Sequence, residues 1–154
     1  MTNGRLKWFC REILGREPNL ESFEDKLIIQ KTGYIAQNMG IGWNYDYGWY
    51  VRGVYSSELT VDLYDHKGKD LKYEPTEQDK KIAGKIKPLA GSLSGTEKYN
   101  KAPDAYELVS TVVFAKKAMN LSGEKEIAEF TKKAKPWFED EHVEKAMKSA
   151  EGLG

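Results

Sequence analysis

The sequence predicts a mainly α protein: a single helical domain of about six helices with a small β hairpin or wing, open to a winged-helix-like arrangement. Three observations carry this. Apolar residues recur at spacings of three and four over most of the chain. The period drops to two only between residues 43 and 51. A length of 154 residues, 40% apolar and 31% charged, suits one domain, residues 1–154, around one continuous core.

Taken in order, Leu6, Phe9, Cys10, Ile13 and Leu14 form one helix face, which Gly15 can close. Ser22 and Asp25 resemble a capping box for the next helix. Its apolar stripe runs through Phe23, Leu27, Ile28, Tyr34, Ile35 and Met39, and Gly40 supplies a left-handed stop. Trp43, Tyr45, Tyr47, Trp49 and Val51 then alternate with polar or small neighbours, the pattern of a strand or hairpin arm. Its aromatic face suits either a stacking platform for single-stranded nucleic acid or the lid of a helical core. The area that aromatic side chains bury favours the lid.

That arm ends near Arg52, and Gly53 gives the backbone freedom to turn. Ser56 or Ser57 caps a short helix from Glu58 to Tyr64 with Leu59 and Leu63 inward. Glu58 and Asp62 favour that helix electrostatically and make its N-terminus a poor phosphate site. "DHKGKDLKYEP" reads as a turn with a short strand, the candidate wing. Thr76 and Asp79 form a second capping-box variant before a helix with Ile82, Ile86 and Leu89 inward. A flexible loop follows around 90–103, rich in Gly and Ser. The next helix buries Ala105, Leu108, Val109, Val112 and Met119, and two amphipathic helices split by Pro136 end the chain.

The run from Lys26 to Tyr64 resembles the YwgA-like family of bacterial and archaeal proteins and, more distantly, the Panacea (SocA-like) antitoxin domain. Lys26, Leu27, Gln30, Lys31 and Tyr34 match a Lys-Leu-x-x-Gln-Lys helix with a tyrosine near its end. Gly53, Tyr55, Ser56, Glu58 and Leu59 match the turn into the following helix. Arg52 stands where the pattern has an aromatic and Val54 where it has proline, so this turn is less rigid than the family's. The resemblance implies a mostly helical regulatory or interaction protein that acts by binding a protein partner, toxin or regulatory. It carries over no catalytic residue.

Charge and motifs bound the alternatives. A net charge of zero gives no overall pull toward nucleic acid or anionic lipid. No apolar run approaches the roughly 20 residues of a membrane span, and the charges Arg5, Lys7, Arg11 and Glu12 do not suit a signal-peptide core. A single cysteine, Cys10, on an inward helix face fits a reduced, cytoplasmic setting. Asp62 with His66, and Glu139 with His142, have the spacing of carboxylate–histidine metal pairs. A bundle site draws ligands from four helices, and "FEDEHVEK" reads as a solvated face, so no metal and no cofactor is expected. There is no Gly-x-Ser-x-Gly elbow and no phosphate loop, which leaves no coherent catalytic set.

One local patch stands out. Residues 67–101 hold nine lysines against five acids. The helix after Thr76 carries the candidate nucleic-acid contacts Gln78, Lys80, Lys81, Lys85 and Lys87. Gln78 lies in the first turn, where recognition helices meet base edges. Lysines without arginines suit phosphate contact more than base reading. A winged-helix-like regulator bound to duplex DNA is therefore the alternative to a protein-binding module.

Overall fold

A computed structural model describes residues 3–95 and 101–153. The chain runs α1 (Asn3–Leu14), α2 (Phe23–Met39), β1 (Gly48–Tyr50), β2 (Gly53–Tyr55), α3 (Ser57–Asp65) and α4 (Glu77–Ile86). A 3-10 turn (Lys87–Gly91) then leads to α5 (Ala102–Lys117), α6 (Glu124–Ala134) and α7 (Asp140–Glu151). The protein is mainly helical, with one two-stranded antiparallel hairpin among the described residues.

The helices α2 and α5 pack on each other at the centre and are buried on almost every side over Leu27–Ala36 and Ala105–Val113. Around them, α1 and α4 cover α2, while α6, α7 and the 3-10 turn cover α5. The second hairpin strand rests on both. This arrangement explains why α2 and α5 are weakly amphipathic in sequence: a helix enclosed by neighbours has no solvent face to mark. It also places their polar residues, Gln30, Lys31 and Glu107, inside the molecule.

Caps define the starts of the helices. Ser22 Oγ accepts the Asp25 amide, but Asp25 turns its carboxylate to Arg16 and to the Asn19 amide. The expected box at α2 is thus half formed. At α4 the box is complete: Thr76 Oγ1 accepts the Asp79 amide and Asp79 accepts the Thr76 amide, each at 3.0 Å. Of the two serines before α3, Ser56 is the cap, its Oγ accepting the Leu59 amide. Gly40 closes α2 in the left-handed region, φ 120°.

Several expectations need correction. The strand is not 43–52: residues 41–47 are irregular, and pairing begins at Gly48 opposite Tyr55. The stretch before it is held by Gln37, whose side chain accepts the Tyr45 amide (2.8 Å) and donates to its carbonyl (3.0 Å). A side chain has taken the place of the ladder. Trp43 and Tyr45 are buried as the lid reading requires, whereas Val51 is at the hairpin tip and 95% exposed. Phe23 and Met119, expected inward, are both exposed: Phe23 is the first residue of α2, and Met119 lies past the end of α5 at Lys117.

No wing forms over residues 65–75. That segment has no strand and is strapped to its neighbours. Arg5 donates to the Tyr73 hydroxyl (2.9 Å), Tyr73 donates to Asp79, and Lys7 reaches the Lys69 carbonyl. Gly4 makes the close approach possible, since a Cβ there would lie 2.7 Å from the Lys72 carbonyl oxygen. Leu89 is buried as expected but in the 3-10 turn, because α4 stops at Ile86 just before Pro88. The core of the loop expected around 90–103, residues 96–100, lies outside the described residues.

Candidate functional site

The two halves of the Lys26–Tyr64 pattern touch each other. Gln30 Oε1 accepts the Ser56 amide (2.8 Å), and its Nε2 donates to the Ser56 carbonyl (2.9 Å) and to Thr60 Oγ1 (2.8 Å). One residue further along α2, Lys31 Nζ donates to the carbonyls of Arg52 and Val54, the latter at 2.9 Å. Two adjacent side chains thus hold the backbone of 52–56 at four points. Glu58 accepts the Asp46 amide (2.6 Å), Leu59 is fully buried, and Tyr34 packs edge-on against Tyr47 with ring centres 5.1 Å apart. The motif builds a corner.

Gly53 is the point on which the corner turns. Neither Val51 nor Arg52 has a positive φ, so the left-handed residue at the hairpin turn is Gly53 at φ 94°, paired opposite Tyr50. Its missing side chain also makes room for charge. A Cβ at residue 53 would lie 3.3 Å from Lys135 Nζ and 3.4 Å from Lys31 Nζ.

Two ammonium groups therefore sit beneath the hairpin. Lys31 is 2% exposed and Lys135 1%. Lys135 is bound to Glu107 at 3.0 Å and faces the rings of Trp49 and Trp137 at 5.6 and 5.5 Å. Lys31 has hydrogen bonds only to neutral carbonyls among the described residues. Burial lowers its pKa to about 8, with Glu107 opposing the fall and Lys135 and Arg52 adding to it. Burying a charge without an ion-pair partner is costly, which is why the Lys31 pKa falls.

Above the cluster opens a groove of 560 Å³ between the first half of α2, the hairpin tip and α3. This is within the roughly 300–1,000 Å³ range of ligand and anchor sites. Lys31, Gln30 and Leu27 line its inner side, and Phe23, Tyr50, Val51 and Tyr64 stand exposed around it. Arg52 crosses Phe23 with its guanidinium 4.8 Å from the ring centre. Tyr55 and Thr60 share a hydroxyl contact of 2.9 Å on the far wall. Lys26, Lys31 and Arg52 line the groove, and no carboxylate does among the described residues. Such aromatic and arginine content is typical of the contact centres of interfaces.

Five motif residues, Lys26, Leu27, Gln30, Lys31 and Tyr55, line this groove, while Gly53, Ser56, Glu58 and Leu59 build the corner behind it. Tyr34 is buried elsewhere, against Tyr47 and Phe114. The pattern did not reveal Phe23, Tyr50, Val51, Arg52, Glu107 or Lys135 as parts of the site. A signal was present for the buried lysines. Lys31 lies four residues from both Leu27 and Ile35, and Lys135 continues the line of Ile127 and Thr131, so each falls on an inward stripe.

The other candidates fall on different faces. Gln78, Lys80, Lys81, Lys85 and Lys87 are all exposed on α4 and the start of the 3-10 turn, with Ile82 and Ile86 buried behind them. His142 is not on a solvated face: it is buried, and Nδ1 accepts the Glu139 amide at 2.8 Å as a cap of α7. Glu139, Glu141 and His142 have ligand atoms within 4.8 Å of one another, but the histidine nitrogen Nδ1 already serves that cap. Asp62 accepts the Tyr45 hydroxyl (2.7 Å), whereas His66 lines a separate 150 Å³ cavity with Cys10. Burial pushes the Cys10 thiol up to about 12, which leaves it inert. No helix is long and apolar enough to cross a membrane among the described residues.

No protein-family model matches the chain, no curated protein matches it, and no solved structure matches its fold.

Proposed function

We propose that this chain is a cytosolic regulatory or interaction protein of YwgA-like or antitoxin-like type, which acts by binding a protein partner and not by catalysis. The observation that carries the reading is the groove. It brings exposed aromatics and three cations together over a corner that Gln30 and Lys31 hold rigid. A rigid, apolar, cation-lined hollow is a contact surface. Gln30 and Lys31 are engaged in building the corner, and among the described residues no hydroxyl of the groove is hydrogen-bonded to a histidine, a lysine or a carboxylate.

The test is capture of partners from the native host by the wild type and by Val51→Glu. Residue 51 is at an exposed tip, so the substitution alters the surface and not the fold. Specific proteins retained by the wild type and lost by the variant are expected. Equal retention by both, or turnover of a metabolite by a protein that captures nothing, would overturn the reading.

A second reading is a DNA-binding regulator using residues 76–87, favoured by the exposure of Gln78 and all four lysines on that element. Phosphate contact would make affinity fall steeply with salt through counterion release. Lys81→Glu with Lys85→Glu should then abolish retention on duplex DNA without lowering the melting temperature. Unchanged retention would assign those lysines to solubility.

A further inference from the structure

Resting on the binding reading above, we propose that the groove takes an acidic, apolar peptide segment of the partner, with an apolar anchor between Phe23 and Leu63 and a carboxylate over the Lys31–Arg52 side. Three independent features of the groove define that occupant.

The first is charge. Lys26, Lys31 and Arg52 converge on one hollow, and no carboxylate lines it among the described residues. The chain as a whole is neutral, so this is a local imbalance. Beneath the hollow, Glu107 is bridged to Lys135 at 3.0 Å, and among the described residues no carboxylate is bridged to Lys31. An ammonium has three protons to donate, and Lys31 places two on the Arg52 and Val54 carbonyls. A ligand carboxylate at this wall would supply the countercharge that the fold withholds.

The second is the apolar rim. Phe23, Tyr50 and Tyr64 are exposed around the opening, and Val51 projects beside them. Aromatic walls of this kind receive an apolar anchor, and they lose water when it enters. The third is hydroxyl content. Tyr55 and Thr60 present one shared contact at the wall, and Ser57 is exposed at the same edge. These are the adaptable partners a peptide backbone needs.

Other occupants fit less well. A second copy docked face to face would set the three cations against themselves, since a two-fold interface joins identical patches. A nucleic-acid strand needs a track of cations along its length, whereas these three surround one hollow walled by Leu27, Val51 and Leu63.

The experiment titrates the full chain with acetylated ten-residue peptides that alternate leucine or phenylalanine with glutamate. The controls replace every glutamate by glutamine or by lysine. Binding of the glutamate peptides is expected at least about tenfold tighter than the glutamine set, a difference of about 1.4 kcal/mol. Lys26→Glu with Arg52→Glu should reverse the preference toward the lysine peptides. Both side chains reach solvent, and the Arg52 carbonyl that holds Lys31 is retained, so the variant should melt like the wild type. Binding at pH 8 should also take up protons, read as a dependence of the enthalpy on the buffer.

Equal affinity for glutamate and glutamine peptides would overturn the proposal, and so would a concentration-dependent dimer that Val51→Glu dissolves. If no peptide binds but Val51→Glu still abolishes partner capture, the acidic-segment proposal falls and the binding reading stands. If capture is also unaffected, both fall.

Discussion

At the scale of single residues, the corner depends on the absence of a side chain and on one hydroxyl. Gly53 combines a left-handed backbone with two ammonium groups beside the position a Cβ would take. Gly53→Val should therefore destabilise by about 1–3 kcal/mol from backbone strain alone, with crowding of Lys31 added. Ser56→Ala should cost about 0.5–1 kcal/mol, the lower part of the range for caps, because its bond to the Leu59 amide is long at 3.4 Å. Ser57→Ala should be neutral, since that hydroxyl is exposed and caps nothing among the described residues. Thermal melts of the three variants check the ranking. The role of Gly53 was legible from the sequence, because glycine followed by a serine cap is turn chemistry. The choice between adjacent serines was not, because either hydroxyl suits a helix start and only the backbone path selects one.

Among elements, the hairpin is too short to stand alone. Two three-residue strands close only three residue pairs, and isolated hairpins are marginal in water. What holds it is α2, through Gln30 and Lys31. Gln30→Ala would strand the Ser56 amide in a buried place and should cost about 1–3 kcal/mol. It should also raise hydrogen exchange across Gly53–Tyr55 before the rest of the molecule, since those amides depend on the clamp. Melting curves and site-resolved exchange give the two readouts, and uniform exchange would mean that the hairpin is held by packing instead. Regular elements were readable as periods of three to four. The stretch 41–47 was not: its alternation is strand-like, yet Gln37 takes the hydrogen bonds of Tyr45. Residues 65–75 likewise read as a wing until Arg5, distant in sequence, ties them down through Tyr73 and Asp79.

For the whole molecule, the central fact is a positive charge enclosed between the hairpin and the α2–α5 core. Sequence patterning located the stripe on which Lys31 lies but assigned no inward residues on the helix before Lys135, and the partner Glu107 sits on a helix buried all round, where no period marks it. That charge makes stability depend on pH in a direction that can be worked out. In the unfolded chain Lys31 titrates near 10.5, and in the fold near 8. Between those values the unfolded state holds more protons, so this group makes the fold more stable as pH rises through the window. The full effect is up to about 3 kcal/mol, from about 1.4 kcal/mol per unit of pKa. Cys10, Tyr34 and Tyr106, whose pKa values are pushed up to about 12, act in the opposite sense at the upper end. They remain when Lys31 is replaced. Lys31→Met keeps the length and removes the charge, so the stability gap between wild type and variant isolates this residue. Urea unfolding at pH 7, 8, 9 and 10 should show that gap moving steadily in favour of the wild type above pH 8. A gap that stays flat would mean that Lys31 keeps its proton throughout, and that its countercharge is already present in the folded chain.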